Sequence, residues 1–447
     1  MKIAVIGLGY VGLVTAACLS ELGHEVLGVD IDQKKVNHLN EGEMPIFEPG
    51  LRELVIKNST EGRLTFVSNF SKDLDHANII FIAVGTPQSS NGIPDLSYVY
   101  NSLDEISKHI KSHKIIILKS TVPIGTNFAV KKHLDHKSQC NIDVVSNPEF
   151  LKEGSAVNDF MKPDRIIIGT ENIQAGEIMR DLYSHFTRNG HPILVMDPTS
   201  AETVKYVSNT MLALKVAFIN EVAQLCDEIG ADVRRVREGI ISDPRIGKQF
   251  LYPSLGFGGS CLPKDVSALI HTIQNLNLDL SLPLSIDQAN KKHIQWFTKK
   301  IVDFYGGKIS SKIFSLWGSA FKAGTDDIRE SPAISLIENL LALGASVKIY
   351  DPVAIKNTKK YFEDSNSLSQ ITFATSEKHS LENTDALIVC TEWLQFRNPN
   401  FETIASSLKD KVIFDGRNIY DPEKLKLYEL THIGVGINSE RIKTPLL

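Results

Sequence analysis

The chain has 447 residues and a formal net charge of -5, and 42% of its residues are hydrophobic. Because a single hydrophobic core seldom grows beyond about 250–300 residues, we expect two or three domains. The slightly acidic balance gives no electrostatic case for nucleic acid or an anionic membrane surface as a partner. No apolar run approaches the ~20 residues of a membrane span. The five cysteines are scattered without a CxxC pair, which favours reduced thiols in a cytoplasmic protein.

The beginning of the chain predicts a βαβ unit. Residues 2–6 form a short apolar run that is typical of a buried parallel strand rather than of a signal peptide. The motif GLGYVG follows over residues 7–12, then a helix that stops at Gly23 and a second strand over 25–30. In this context the three glycines predict a dinucleotide-binding turn, with the pyrophosphate at the helix N-terminus. The alternative is an ordinary tight turn.

The second strand ends in Asp30, a carboxylate placed to bind both ribose hydroxyls of a dinucleotide. Ile31 and Asp32 come next, so no arginine stands there to receive a 2′-phosphate. The sequence therefore favours NAD over NADP, although Lys35 weakens this preference slightly.

Two α/β regions flank a helical one. Further strands are predicted over 79–84, 115–118, 144–145 and 165–168 in the first region, and over 313–318, 347–351, 386–389 and 412–415 in the last. We therefore predict an α/β fold class with two Rossmann-like, doubly wound domains joined by a long central helix. The predicted domains are an NAD-binding domain over 1–196, a central helical domain over 197–301 and a C-terminal α/β domain over 302–447. The last domain lacks a GxGxxG motif, so we expect it to hold something other than a second dinucleotide.

The central helix is predicted from Asp197 to a stop at Gly230. Its apolar residues recur in an almost heptad series: Val204, Val207, Met211, Leu214, Phe218, Val222, Leu225 and Ile229. Such a helix suits a dimer interface, with the long core helix of a monomer as the alternative. Lys205 and Asn209 lie four residues apart on one face beside this series. They would donate hydrogen bonds to an oxyanion, unless that face is merely solvated.

Three loops follow predicted strands of the first domain, over residues 85–87, 120–126 and 146–154. Ligands of such folds collect at the carboxyl ends of the strands, so these loops are expected to face the cofactor. The third loop places two carboxylates, Glu149 and Glu153, four residues apart. For the stretches rich in Gly, Pro and Thr, simple turn chemistry is the alternative.

The loop over 258–265 presents a single thiol, Cys261, next to Lys264 and Asp265. A nicotinamide enzyme that only interconverts alcohol and carbonyl needs no nucleophilic thiol, whereas one that reaches the acid benefits from holding the aldehyde covalently. The loop and the dinucleotide turn together predict a four-electron oxidation. The alternative for Cys261 is a small buried hydrophobe, although the glycines at 256, 258 and 259 suit an exposed loop approached by a ligand. No His or Cys cluster has metal-ligand spacing, so no metal is predicted.

A series of motifs runs along nearly the whole chain: GLGYVG, VGTP, KSTVPIGT, SNPEFLKEG, AETVKYVSNTMLALKVAFINE, SDPRIGKQFLYPSLGFGGSCLPKD, FKAGTDDIRESPA and DGRNIYDP. In this order they resemble the nucleotide-sugar 6-dehydrogenases of the UDP-glucose/GDP-mannose dehydrogenase family, most of all its members that act on UDP-glucose. The resemblance implies an N-terminal NAD domain, a helical dimerising middle and a C-terminal UDP-sugar domain. It also implies a homodimer with a UDP-sugar as substrate.

The resemblance also implies residue roles. Cofactor-binding residues would be Gly7, Gly9, Val11, Gly12, Asp30, Lys35, Thr86, Thr121 and Glu153, with Lys264 and Arg329 reaching NAD from the other domains. Substrate-binding residues would be Glu149, Phe150, Leu151, Lys152, Glu153, Lys205, Asn209, Phe250, Leu251, Tyr252, Pro253, Ser254, Gly258 and Lys322. Cys261 would be the nucleophile, Lys205 and Asn209 the oxyanion donors, Thr121 and Asp265 the holders of a water, and Glu149 or Asp265 the group that activates it.

The implied substrate is less uniform across the motifs. Leu262 and the string FKAGTDDIRESP resemble GDP-mannose 6-dehydrogenase as much as the UDP-glucose enzymes, whereas the stretches 243–247, 391–393 and 415–418 favour UDP-glucose. We therefore expect NAD-dependent oxidation of the C6 hydroxyl of UDP-glucose to UDP-glucuronate, through a thiohemiacetal and a thioester at Cys261. The alternatives are GDP-mannose or a UDP-N-acetylhexosamine as substrate, a two-electron hydroxyacid or polyol dehydrogenase, and a non-catalytic NAD-binding assembly protein.

Overall fold

The computed structural model describes residues 1–70, 72–89, 92–187, 190–363 and 368–437. The chain separates into two compact units, Met1–Ser208 and Asn209–Leu447, which we call the N-terminal and the C-terminal unit. The three predicted domains remain predictions, and the last ten residues of the third, 438–447, lie outside the described residues. No helix in the described ranges is both long enough and apolar enough to cross a bilayer.

The N-terminal unit is built on an eight-stranded sheet in the order β3-β2-β1-β4-β5-β6-β7-β8. The strands are β1 Lys2–Ile6, β2 Glu25–Val29, β3 Leu64–Val67, β4 Ile79–Ile82, β5 Lys114–Leu118, β6 Ile142–Ser146, β7 Ile166–Gly169 and β8 Ile193–Met196. All neighbours pair in parallel except β6 and β7, which meet antiparallel only at Ser146 and Gly169. The strand order reverses between β1 and β4, which is where doubly wound sheets open a ligand crevice at the carboxyl ends of their strands.

Eight helices of this unit connect and cover the strands. They are α1 Tyr10–Glu21, α2 Gln33–Asn40, α3 Leu51–Thr60, α4 Ser97–His109, α5 Thr126–Lys137, α6 Ala156–Met161, α7 Ile173–Leu182 and α8 Ser184–Thr187, with a 3₁₀ turn at Lys72–His76. Successive strand residues alternate between two cores, because side chains in a strand point to opposite faces. Val5 and Phe81 belong to one core, while Ile6 and Ile80 belong to the other. Burial on both faces is the reason the central strands are continuous apolar runs.

The C-terminal unit has a six-stranded sheet, parallel throughout, in the order β11-β10-β9-β12-β13-β14. Its strands are β9 Ile313–Trp317, β10 Ser346–Tyr350, β11 Ile371–Phe373, β12 Ala386–Val389, β13 Val412–Asp415 and β14 Thr431–Gly434. Its helices are α10 Val233–Ile241, α11 Leu262–Asn275, α12 Leu282–Phe304, α13 Pro332–Ala342, α14 Ile355–Glu363, α15 Glu377–Leu381, α16 Phe401–Ser407 and α17 Pro422–Lys426, with 3₁₀ turns at Leu368–Gln370 and Leu394–Arg397. The six strands follow the same order as the first six of the N-terminal sheet.

Helix α9, Pro198–Ile229, contains residues of both units and is 32 residues long. It ends before Gly230, whose φ of 69° is left-handed and breaks the helix as the sequence predicts. On one face Ala213 and Ala217 pack with Val266 of α11 and Ile286 of α12. With this helix and the two sheets, the predicted fold class is confirmed.

The edge strands β3 and β8 are absent from the predicted strands. Each has only four residues, and each pairs with a single neighbour at an edge of its sheet. Leu194 in β8 is 44% exposed, and β3 alternates between buried and exposed residues. Short, half-exposed strands carry too few apolar residues for a pattern to be recognised.

Candidate functional site

The glycine turn after β1 has the form of a pyrophosphate site. A Cβ at Gly12 would lie 1.8 Å from the carbonyl oxygen of Gly7, and Gly7 itself has φ 90° with a Cβ position 2.8 Å from the backbone of Val84. These two glycines therefore allow the strand, turn and helix to pack. Gly9 is the N-cap of α1 and faces open space, with nothing within 4 Å of its Cβ position. The free N–H groups of the first helical turn are thus accessible to an anion, which fits a dinucleotide.

Asp30 follows β2 and is 8% exposed. Its Oδ2 accepts from the backbone N–H of Leu8 at 2.8 Å and from Lys35 Nζ at 2.7 Å, and its Oδ1 accepts from the N–H of Asp32 at 3.0 Å. Burial acts to raise the pKa of this carboxyl, but the hydrogen bonds from Lys35, Asp32 and Leu8 together lower it. Asp30 is therefore an ionised acceptor fixed beside the glycine turn.

The loops after β4 and β5 are joined directly. Thr86 is 8% exposed, and its Oγ1 donates to the carbonyl of Thr121 at 2.9 Å. Thr121 lines a small cavity together with Lys205 and Pro148. Val11 is half-buried in the first turn of α1. The structure thus brings Thr121 to the neighbourhood of Lys205, as the prediction requires.

Glu149 and Lys205 form a buried ion pair within the N-terminal unit. They are 5% and 3% exposed, and Lys205 Nζ donates to Glu149 Oε1 at 2.8 Å and to the Glu149 carbonyl at 2.7 Å. Glu149 Oε2 accepts from the N–H of Leu151 at 2.6 Å. Burial would raise the pKa of Glu149, but the charge and hydrogen bond of Lys205 lower it overall. The solvated alternative for Lys205 is therefore wrong.

The rest of the loop after β6 is half-buried or exposed. The ring of Phe150 lies 3.9 Å from the guanidinium of Arg165, and Lys152 pairs with Asp159 at 3.0 Å. Leu151 and Glu153 are half-buried.

The loop is also fixed by Glu48, which the sequence reasoning missed. This buried carboxylate accepts from the N–H groups of Gly154 and Ala156, each at 2.7 Å, and from the hydroxyl of Tyr10. Glu48 stands about a hundred residues before the loop that it holds, and no motif surrounds it, so the sequence offered no local signal.

Cys261 is the N-cap of α11 in the C-terminal unit and is half-buried. Asp265 lies one turn further along, with its N–H donating to the Cys261 carbonyl at 2.9 Å. This carboxylate is 1% exposed; its Oδ2 accepts from Asn209 Nδ2 at 2.6 Å, and Lys264 Nζ lies 3.4 Å from its Oδ1. By contrast Cys18 is fully buried, and burial raises the pKa of its thiol to about 12. Cys261 is therefore a thiol at a helix N-terminus, whose partial positive charge favours the thiolate.

The glycines before Cys261 have another cause than the one we predicted. A Cβ at Gly258 would lie 2.2 Å from the carbonyl oxygen of Glu330, and one at Gly259 would lie 2.7 Å from the ring of Phe321. At Gly256, φ is 133° and the Cβ position is 2.7 Å from Asn290 Oδ1. These positions are filled by the protein itself, so close packing within the C-terminal unit, rather than an exposed loop, requires the glycines.

A cleft of about 610 Å³ opens beside this loop. Six predicted substrate residues line it: Phe250, Tyr252, Pro253, Ser254, Gly258 and Lys322. Phe250 has φ 63°, a left-handed conformation that costs a non-glycine residue about 1–3 kcal/mol and is often found at functional sites. Leu251 differs, because its side chain is buried in the core of the unit. Arg329 is largely exposed, pairs with Asp327 at 2.7 Å and is not among the residues that line the cleft.

Two further cations of the cleft were missed by the sequence reasoning, Arg397 and Arg417. Arg417 follows β13; its Nε donates to the Cys390 carbonyl at 2.7 Å and lies 3.2 Å from Glu392 Oε2. The signal that would have found Arg417 is its place at the carboxyl end of a strand of the second sheet.

Comparison with known proteins agrees with this geometry. Residues 1–187 match the NAD binding domain of the UDP-glucose/GDP-mannose dehydrogenase family, residues 199–292 match its central domain and residues 315–422 match its UDP binding domain. UDP-glucose 6-dehydrogenases of Pseudomonas aeruginosa and Rickettsia bellii are each 40% identical to this chain, and the alignments cover 98% of it and 97% and 99% of those proteins.

Two solved structures share the whole architecture. A UDP-glucose dehydrogenase from Pyrobaculum islandicum is 34% identical with a TM-score of 0.89, covering 97% of both chains. A UDP-D-ManNAc dehydrogenase from Pyrococcus horikoshii is 28% identical with a TM-score of 0.85, covering 98% of this chain and 100% of the other. The resemblance predicted from the motifs is confirmed, and the chain belongs to the UDP-glucose/GDP-mannose dehydrogenase family.

Proposed function

We propose that this chain oxidises the C6 hydroxyl of UDP-glucose to the carboxylate of UDP-glucuronate, with NAD as the oxidant. The observation that carries the proposal is Cys261 at the N-terminus of α11, half-buried and one helical turn from the buried carboxylate of Asp265. A thiol in this position is needed only if the oxidation continues beyond the aldehyde. The names of the 40% identical relatives support UDP-glucose as the substrate.

The N-terminal unit would hold the dinucleotide. The α1 N-terminus beyond Gly9 would receive the pyrophosphate, and Asp30 would accept from the ribose hydroxyls. A buried carboxylate at that point would repel a 2′-phosphate, which favours NAD over NADP. Thr86 and Thr121 contribute the neighbouring loops, and Glu153 belongs to the loop fixed by Glu48. When bound, the nicotinamide would accept two electrons and a proton as hydride in each of the two oxidations.

The thiol chemistry follows from the state of Cys261. The first oxidation turns the C6 alcohol into an aldehyde, and the thiolate Sγ adds to the aldehyde carbon to form a thiohemiacetal. The second oxidation removes the C6 hydrogen and leaves a thioester. Water then attacks the carbonyl, the C–S bond breaks, and the carboxylate and the free thiol are released.

Two buried pairs would serve the charges that develop. Lys205, held by Glu149, would donate to the C6 oxygen as it becomes anionic, and one such donor is typically worth ~10²–10³ in rate. Asp265, oriented by Asn209, would take the proton of the hydrolytic water, and a positioned base adds ~10²–10⁴. Glu149 is the alternative base, and Thr121 would hold a water through its hydroxyl.

The cleft of the C-terminal unit would bind the sugar nucleotide. Lys322, Arg397 and Arg417 supply cations for a diphosphate, and Arg side chains favour phosphate oxygens through paired donors. Phe250 and Tyr252 supply aromatic faces for the uracil ring.

The protein would act as a cytoplasmic homodimer. On α9, Met211, Phe218 and Leu225 are spaced seven residues apart and are 54%, 51% and 56% exposed. A row of exposed apolar residues at heptad spacing pairs favourably with the same row on a second copy.

The proposal is tested by the yield of NADH for each sugar nucleotide consumed. UDP-glucose, GDP-mannose, UDP-N-acetylglucosamine and UDP-N-acetylmannosamine are compared at equal concentration, with NAD and with NADP. We expect two NADH for each UDP-glucose and the highest kcat/KM with that pair. One NADH for each sugar would reject the four-electron reaction, and a preference for GDP-mannose or an N-acetyl sugar would reject the substrate.

A further inference from the structure

A buried lysine outside the proposed chemistry lies at the carboxyl end of β5. Lys119 is 6% exposed, and its Nζ donates to Asn147 Oδ1 at 3.1 Å. The same oxygen accepts from the Tyr183 hydroxyl at 2.7 Å, while Asn147 Nδ2 donates to the Ile167 carbonyl at 2.7 Å. The ammonium group therefore helps to fix the start of the loop that carries Glu149.

Lys119 also contributes charge to that loop. It lines a cavity of about 60 Å³ together with Glu149 and Phe150. Burial lowers the pKa of Lys119 to about 8; the negative charge of Glu149 opposes this shift, and the positive charge of Lys205 adds to it. When both lysines are protonated, two ammonium groups act on one buried carboxylate.

The other charged and titratable groups of this cavity are Lys152, Asp159, Asp164, Arg165 and Tyr183. Lys152 and Asp159 form an ion pair with each other, and the guanidinium of Arg165 lies over the Phe150 ring and interacts with Asp164. Burial raises the pKa of the Tyr183 hydroxyl, so it stays neutral. The balance of charge at Glu149 is thus set mainly by Lys119 and Lys205.

A second buried lysine on the same strand shows what a purely structural role looks like. Lys114, at the amino end of β5, is 0% exposed and is fully paired: its Nζ bonds the Asp75 carbonyl at 2.5 Å and Ser112 Oγ at 2.9 Å, and lies 3.3 Å from Asp75 Oδ1. Within the described ranges, Lys119 has no such carboxylate in ion-pair contact, and its hydrogen-bond acceptor is a neutral amide. A buried cation without its own counterion is costly unless it serves another charge.

We propose that Lys119 is a positioning residue for the oxidation, which anchors the Asn147–Leu151 loop and supplies a second positive charge behind the Glu149–Lys205 pair. The inference rests on the proposed function. The added charge stabilises the anionic C6 oxygen that Lys205 receives, so kcat depends on the proton of Lys119. Loss of that proton on raising the pH through about 8 therefore lowers kcat.

The test compares Lys119→Met with Lys114→Met as the matched control. For Lys119→Met we expect kcat at pH 7 to fall by about 10²-fold, the alkaline decline of kcat to disappear, and KM for UDP-glucose and for NAD to change by less than about 3-fold. Lys114→Met should lower the thermal unfolding midpoint by as much or more but keep the wild-type pH profile. Lys119→Arg, which stays charged, should move the alkaline decline to higher pH. A wild-type kcat without a decline between pH 7 and 9, or a Lys119→Met profile equal to that of the wild type, would overturn the inference.

A second measurement needs no activity. In protein labelled with ¹³C at the lysine ε carbons, the Lys119 signal is assigned by its loss in Lys119→Arg and titrated with and without Glu149→Gln. Because Glu149 raises the pKa of Lys119, the substitution should lower that pKa further. An unchanged pKa would refute the coupling even if the enzyme proved to act on another sugar. Conversely, a wild type that forms no NADH from UDP-glucose would reject the proposed function while this titration still decides the coupling.

Discussion

Cys261 differs from the buried cysteines of the chain by its place at a helix N-terminus. Cys18, Cys226 and Cys390 are at most 2% exposed, and burial raises the pKa of each thiol. Cys261 is half-buried, and its Ser260 neighbour places a hydroxyl oxygen 3.6 Å from its Sγ. A nucleophile requires this combination of access and local positive potential.

For Cys261→Ser we expect the first oxidation to survive and steady-state NADH formation to fall by about 10³-fold or more, because a serine hydroxyl is a poor nucleophile and its ester hydrolyses slowly. Rapid-mixing absorbance would show the reduced steady state, and intact mass would show an accumulated adduct. Cys140→Ser, at another half-buried cysteine, is the control and should keep wild-type rates. Undiminished formation of UDP-glucuronate by Cys261→Ser would refute the covalent step.

Asp30 is the residue on which cofactor choice depends. Asp30→Asn removes a charged acceptor for the ribose hydroxyls and frees Lys35, so we expect KM for NAD to rise about 10-fold and kcat/KM for NADP relative to NAD to increase. Steady-state kinetics with both cofactors measures the change. Asp32→Asn is a suitable control, because Asp32 caps α2 through the N–H groups of Lys34 and Lys35 without facing the glycine turn. An unchanged NADP to NAD ratio in Asp30→Asn would contradict the assignment.

At the scale of elements, the two sheets share a strand order but not a turn chemistry. In the C-terminal sheet, Asp351 after β10 accepts from the N–H groups of Ser319 and Ala320 in the turn after β9. A Cβ at Gly318 in that turn would lie 2.3 Å from Thr391. The chain itself therefore occupies the donors that a pyrophosphate takes in the N-terminal sheet, which accounts for one dinucleotide turn in two similar architectures.

Helix α12 supports the loop that lines the cleft. Asn290 both donates to and accepts from the backbone of Phe257, at 3.0 and 2.9 Å, and His293 Nε2 lies 2.7 Å from the Ser254 carbonyl. The other ring nitrogen of His293 lies 2.8 Å from Gln224 Nε2. An imidazole that donates to a carbonyl and accepts from an amide is neutral, and burial lowers the pKa of His293 from 6.5 to about 4.

This histidine should make the protein sensitive to acid. Because the unfolded chain binds the proton more tightly, the contribution of His293 to stability is complete above pH 6.5 and is lost as the pH falls to about 4, a change of about 3 kcal/mol. Denaturant unfolding at pH 7 and at pH 4.5 should show a smaller difference for His293→Gln than for the wild type. His136→Gln, at an exposed histidine, should behave as the wild type does. Equal acid sensitivity in all three proteins would show that His293 is not the group responsible.

At the scale of the whole molecule, the exposed stripe of α9 is the feature that sets assembly. Phe218→Glu places a charge at the centre of the stripe, and burying it against a second copy would be strongly unfavourable. We expect a species of twice 49.6 kDa for the wild type and of 49.6 kDa for the variant, by light scattering on a sizing column. Leu394→Glu, at an 83% exposed leucine of the C-terminal unit, is the control and should remain dimeric. A dimeric Phe218→Glu would exclude α9 as the interface.

The sequence by itself determined the features whose cause is local. The glycine turn, Cys261 before a helix and the end of α9 at Gly230 each follow from short-range sterics or spacing, which a run of ten residues already contains. Only the tertiary structure decided which distant residues meet. Glu149 and Lys205 stand 56 residues apart, and neither shows in sequence that burial makes them partners. The packing that explains Gly258 and Gly259, the support of a loop by Glu48 and the burial of Lys119 arise likewise from contacts between separate elements, because burial is a property of the assembled layers and not of any one segment.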